Sequence, residues 1–263
     1  RAAPGRDSGL LRPGGRGPGY SLDAILRERQ TSPSEMVRVG ERFYTSLGLA
    51  PLPKTFWERS LFVKPAGREV VCHPSAWDLD AADDLRIKMC LGSTAGDFYA
   101  IHHVLAGAYY QRAYKAQRPV FRAAANQAFA EAVGDTVALS ITPEYLVRIG
   151  LIPSAPDPSL DVGLLMNRAL ENVAYLPFAL VADQWQWGVY GSRVPPADYN
   201  KAWWDLRLKY QGVAPPSPRS EQYFDPGAKG DLPANASSTR QFLAAVLQFQ
   251  FHRALVRQAG CTM

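Results

Sequence analysis

Residues 99–115 read YAIHHVLAGAYYQRAYK, a stretch with the outline of a metal-binding helix but without all of its donors. Ile101, Leu105 and Tyr109 follow Phe98 at helical spacing, so 97–115 is expected to be a single helix. Two histidines, His102 and His103, stand side by side on it. A zinc-binding helix presents imidazoles at i and i+4, stacked on one face, with a glutamate directly after the first. Here Val104 follows His103, and the place four residues on is Gly107. Neighbouring helix residues point about 100° apart, so His102 is a poor substitute for the missing partner. Taken alone, the pair reads as two hydrogen-bonded helix histidines without a metal.

The surrounding chain is helical in pattern. In SPSEMVRVGERFYTSLGL, Ser34 is the expected N-cap, Met36, Val39, Phe43 and Leu47 recur at helical spacing, and Gly48 is the terminator. An Ala-rich helix is expected over 121–140. Thr142 and Pro143 open a further one, which Gly150 closes. Residues 159–190 form one long pattern that Pro177 should kink or divide. NKAWWDLRLKYQG ends at Gly212, then comes a Pro/Gly-rich connector, and a last helix starts near Ser238. The strand candidate is GREVVCHPSAWDL, carrying Val70 and Val71 and stopped by Pro74. The fold class is therefore mainly α with at most a small β element. Residues 1–34 are expected to be disordered or foreign to the fold, because Gly, Pro and Arg dominate the first 20 and no apolar period appears there.

Composition narrows the function. The net charge is +5 over 263 residues, and six Arg against three acidic residues in 1–34 supply most of it. The remaining body is near neutral, which speaks against a nucleic-acid groove. No run of 18 apolar residues marks a membrane span. The first residue is Arg1 with no secretory leader after it, so the chain reads as a fragment. Its three cysteines, Cys72, Cys90 and Cys261, allow one pair and one leftover thiol. Asn235-Ala236-Ser237 fits the N-glycosylation acceptor pattern. His252, in the aromatic run QFQFH, reads as a packed core residue, as do the tryptophans at 185, 187, 203 and 204.

Several longer segments carry a resemblance. RFYTSLGLAPLPKTFWERS, GREVVCHPSAWD, LRIKMC, FAEAVGDTVALS, DQWQWGVY, YNKAWWDLRLKYQG, FDPGAK and LQFQFHRAL resemble, in order, the angiotensin-converting enzyme family of peptidyl-dipeptidases. The likeness runs from about residue 35 to about 260. It corresponds to the C-terminal half of that family's helical, two-lobed catalytic domain, so 35–263 is expected to be a partial domain of this kind. The resemblance also implies roles for individual residues. The family's zinc motif is HEMGH, with a glutamate ligand further on in a motif like HEAIGD. By this likeness His103 matches the first ligand, Glu131 the third, and Asp135 the acid that orients a ligand histidine. Val104 stands at the general-base position and Gly107 at the second zinc histidine. His73 and Lys229 match substrate-contacting residues. Asp231 replaces a substrate-binding histidine, Ser238 a carboxylate-binding tyrosine, and Gln241 the tyrosine that steadies the oxyanion. Trp203, Arg207 and Arg240 match residues that hold chloride. Cys72 and Cys90 match a family disulfide, whereas Val256 replaces a cysteine of another.

On these grounds the sequence-based expectation is a catalytically inactive homologue, not an enzyme. It would bind no zinc cofactor and would retain a peptide groove or a surface for an extracellular protein. Two alternatives stand beside it: an active zinc-dependent carboxydipeptidase that recruits a substitute ligand, and a truncated product without independent function. The resemblance implies an extracellular or cell-surface location. Apolar helix faces left uncovered in half a domain are expected to favour association.

Overall fold

The computed structural model describes residues 21–124, 126–228, 232 and 238–261. Lys229, Asp231 and Asn235 therefore lie outside the described residues. The fold is mainly α, as expected, and its one sheet among the described residues is a two-stranded antiparallel hairpin. The described residues fall into two compact units, one built from those within 21–161 and 246–261, the other from those within 162–245.

In the first unit, α1 (Leu22–Glu28) lies inside the segment expected to be disordered. Ser21 caps it, and it buries Leu22 and Leu26 in the core. Two leucines suffice to dock a seven-residue helix when burying each contributes about 1.5–3 kcal/mol. Helix α2 (Pro33–Ser46) is capped by Ser32, with Pro33 in the first turn, two residues ahead of the expected Ser34. Pro tolerates that place because its missing N–H has no helical acceptor there. Gly48 ends the turn with φ +84°. Helix α3 (Lys54–Arg59) buries Phe56.

The hairpin corrects the strand expectation. Strand β1 (Ser75–Asp78) begins after Pro74 rather than ending there, and it pairs with β2 (Leu85–Lys88), Ser75 opposite Lys88 and Asp78 opposite Leu85. Proline cannot donate to a ladder and so precedes it, while Val71 is left exposed outside the sheet. The turn is tied by Asp78 Oδ1 and Asp80 Oδ1, which accept backbone N–H bonds from Ala81 and Ala82. Cys72 and Cys90 form the disulfide across the hairpin's ends, with Cα atoms 5.3 Å apart. Cys261 is exposed and free.

Helix α4 (Ala95–Ala113) is the axis of this unit. Thr94 and Asp97 form a reciprocal capping box at its start. Its buried face (Phe98, Ile101, Val104, Leu105, Tyr109) meets α2. The approach is close at Gly40, where an added Cβ would come within 2.7 Å of Leu105 Cδ1. Helix α5 (Gln127–Leu139), capped by Asn126, packs along α4, and α6 (Pro143–Arg148) comes next with Thr142 as its cap.

In the second unit, α7 (Asp161–Tyr190) contains Pro177, so of the two expected outcomes, a kink or a division, the proline does not divide the helix. Its C-terminal turns pack Val181, Ala182 and Trp185 against Trp203 of α8 (Tyr199–Gln211). Gly212, at φ +66°, ends α8 in the left-handed conformation. The Asp225 carboxylate accepts from Arg219 and from Trp204 Nε1, and Arg219 above all holds its pKa far below the carboxylate range. Helix α9 (Ser238–Gln258) begins in this unit and ends in the first.

Candidate active site

The two neighbouring histidines of α4 meet opposite surroundings, as the angle between adjacent helix positions requires. His102 is fully buried. Its Nδ1 lies 2.8 Å from the Phe98 carbonyl oxygen, which can only accept, so the proton sits on Nδ1. Nε2 then accepts from the Tyr145 hydroxyl at 3.0 Å. Burial drives this imidazole down to about 4 against the weaker opposing pull of the Phe98 carbonyl, so it is neutral and structural. That is the hydrogen-bonded histidine expected of the pair.

His103 turns towards α5 instead. Its Nε2 lies 3.2 Å from Glu131 Oε2, and its Nδ1 lies 3.2 Å from Asp135 Oδ1. Glu131 and Asp135 stand four residues apart on α5 and so share one face. Burial by itself lowers this imidazole's pKa. The Asp135 and then the Glu131 carboxylate outweigh it and raise the group to about 9. His103 is accordingly an imidazolium at neutral pH, donating to one carboxylate from each nitrogen. The ring lies against the α5 backbone at Gly134, where a Cβ would fall 2.7 Å from Nδ1 and 2.8 Å from Cε1. Gly134 thus shapes the seat of the His103 ring, a role that the sequence reading missed, although its place between Glu131 and Asp135 in EAVGD is a usable signal.

Val104 is buried in the core cluster beside Leu105 and offers neither proton acceptor nor access. Gly107 is open: an added Cβ would meet only Ala76 Cβ, at an ordinary 3.7 Å. Gly107 also lines a cavity of about 310 Å³ with Tyr110, Gln111, Tyr114, Lys115 and Arg122. Gln111 was not among the sequence candidates; its Oε1 is buried there without a hydrogen-bond partner.

The remaining candidates are scattered over both units. His73 is exposed just ahead of β1, with Nδ1 2.9 Å from the Pro74 carbonyl. Ser238 is buried at the start of α9, its backbone N–H donating to Asp183. Gln241 Oε1 accepts from the Tyr175 hydroxyl. Trp203 is buried on α8, Arg207 lies one turn on with its guanidinium over the Trp204 ring, and Arg240 is in the first turn of α9. Of the site residues read from the sequence, the structure brings together His103, Glu131 and Asp135.

These residues do not fit the zinc that the resemblance implies. A catalytic zinc site takes three protein donors and keeps one open position. His103 Nε2 and Glu131 supply two, whereas Asp135 is spent on the far nitrogen of the same ring. Among the described residues no group of three His, Cys, Asp or Glu side chains is arranged to hold a metal ion.

The packed helix pair, the hairpin and the carboxylate-bracketed histidine belong to a mainly α protein with one small antiparallel sheet among the described residues. The chain belongs to the angiotensin-converting enzyme family, whose family model matches residues 8–263. It is 45% identical over 246 residues to angiotensin-converting enzyme of Rattus norvegicus, covering 92% of this chain and 19% of that protein. It is 43% identical over 253 residues to angiotensin-converting enzyme of Theromyzon tessulatum, covering 95% of this chain and 41% of that protein. It is 39% identical over 243 residues to the angiotensin-converting enzyme-like protein Ace3 of Mus musculus, covering 91% and 33%. The chain thus spans between about a fifth and two-fifths of the length of these relatives.

The relatives correct one expectation. The chain was expected not to be an enzyme, yet proteins aligned with nine-tenths of its length carry the name of one. The physical reason lies in what the substitutions establish. Val104 puts an apolar side chain and Gly107 none where the resemblance implies polar ones, and that is a statement about donors, not about a reaction to which other groups contribute.

Proposed function

We propose that the protein containing this chain is a peptidase that releases dipeptides from the C-terminal end of peptides, and that α4 and α5 carry its reacting site. The observation that carries this reading is the His103 imidazole held between Glu131 and Asp135 across two packed helices, in a chain of this family. The chain's own residues do three things there. Gly134 lets the ring lie on α5, Asp135 holds it from behind, and Glu131 offers a carboxylate beside Nε2. By resemblance, His73 lies along the peptide backbone and Lys229 holds its terminal carboxylate. The Cys72–Cys90 disulfide supports an oxidising, extracellular or cell-surface setting.

The test is hydrolysis of an N-terminally blocked tripeptide by the protein, with mass-spectrometric detection of the released dipeptide. His103→Ala and Glu131→Ala are each expected to lower the rate by about 10²-fold or more, the lower end of what a positioned acid–base group contributes. A folded wild-type protein that releases no dipeptide, or variants that match its rate, would overturn the reading.

A further inference from the structure

We infer that α7 is a docking surface for a second copy of this chain, the two α7 helices lying antiparallel about a two-fold axis near Leu176. The inference stands apart from the peptidase reading. Helix α7 is apolar on two faces. Val181, Ala182 and Trp185 turn towards α8 and are buried. Met166, Val173, Leu180 and Trp187 recur every seven residues, with Val162 and Tyr190 beside them near the two ends, and all six are exposed. At 100° per residue, Leu180 and Trp187 stand roughly opposite the side that meets α8. A helix that is apolar all round is ordinarily buried all round. Here the second face stays open along a helix of 30 residues.

The size of the stripe and its gradation both point to a second copy. Val173 is 62% and Trp187 68% exposed. With about 150–250 Å² for a large side chain, such exposures along the stripe leave on the order of 800 Å² of apolar surface. That exceeds the roughly 300–600 Å² patch of a typical monomer and matches the ~800 Å² that each partner gives to a standard stable interface. Bulk is graded along the helix. Val162, Met166 and Ala169 lie at its start, Trp187 and Tyr190 at its end. Antiparallel pairing sets large against small, Met166 opposite Trp187 and Val173 opposite Leu180. Parallel pairing would set Trp187 on Trp187 and Ala169 on Ala169, a crowd at one end and a void at the other, which close packing disfavours. Antiparallel helices also bring opposite dipole ends together. The interface is then the same patch on both copies, so it closes at two.

The test combines sedimentation with cysteine cross-linking of the 263-residue chain. The wild type is expected to sediment as a dimer that dissociates on dilution. Val173→Cys and Leu180→Cys are then made separately in a Cys261→Ser background, which removes the exposed free thiol. Under mild oxidation the 1:1 mixture should give a disulfide-linked dimer on a non-reducing gel, and each variant alone should not. In the antiparallel pair the two copies of position 173 are roughly 10 Å apart along the axis, seven residues of helical rise, beyond the ~7 Å Cα separation that a disulfide can bridge. Met166→Cys with Trp187→Cys repeats the test should either variant fail to give the wild-type circular dichroism spectrum. Cross-linking of each variant alone as readily as in the mixture overturns the antiparallel pairing. A wild type that is monomeric at every concentration, or that grows into particles of unlimited size, overturns the dimer. So does a monomer in which the Val173→Cys thiol resists labelling, because a segment of the same polypeptide then covers the stripe.

Discussion

Replacing Gly134 by Ala sets two effects of opposite sign against each other. Gly134 lies inside α5, where Ala is favoured over Gly by about 0.8–1.0 kcal/mol on helix propensity alone. The new Cβ would stand 2.7 Å from His103 Nδ1, 2.8 Å from Cε1 and 3.0 Å from Cγ. Three ring atoms at such distances oblige the imidazole to withdraw from α5. It cannot withdraw and still hold Glu131 and Asp135 at 3.2 Å. Overpacking of this kind costs about 1–3 kcal/mol. Hydrogen bonds to charged groups contribute about 1.5–3 kcal/mol, less here because the Glu131 side chain is 38% exposed and screened by water. The net expectation is a loss of about 1–3 kcal/mol. Urea unfolding monitored by circular dichroism at pH 7 measures it, and Gly134→Ala should unfold at lower urea than the wild type. A variant as stable as the wild type, or stabilised by the propensity gain, would refute the account of why the ring rests there.

Two titrations bracket the stability. The folded pKa of His103, about 9, is above the unfolded value of about 6.5; its contribution is complete below about pH 6.5 and fades as pH rises through 9. After allowance for screening it amounts to about 1–2 kcal/mol. Thermal midpoints should fall between pH 6.5 and 9.5 in the wild type and stay flatter in His103→Gln; equal slopes would contradict this. His102 is depressed to about 4, so the unfolded chain binds the extra proton and stability drops as pH falls from 6.5 towards 4; His102→Gln should show the shallower acid slope. Reducing the disulfide, whose cysteines are 18 residues apart, should cost about 3 kcal/mol, read as a lower urea midpoint in reductant. Met166, Val173, Leu180 and Trp187 recur every seven residues on α7 and are exposed. The chain alone should therefore self-associate in light scattering, and Val173→Glu with Leu180→Glu should reduce the effect; a monodisperse wild-type monomer would count against it.

Periodicity and caps along the chain determined most of the helices. Gly48, Thr142, Gly150 and Gly212 act through local backbone groups, and local rules are legible in order of sequence. The same holds for the missing side chain at Gly107 and the apolar residue at Val104, which no packing can turn into donors. The rest depended on contacts between segments far apart. Leu22 and Leu26 become a helix only because a core exists to receive them, and Val70 and Val71 fail as a strand because the disulfide and Pro74 leave them outside the ladder. The two histidines were indistinguishable as letters. Tertiary packing turned His102 to Tyr145 and neutrality, and turned His103 to Glu131, Asp135 and a positive charge, because the dielectric and the partners around a ring are set by whichever helices close over it.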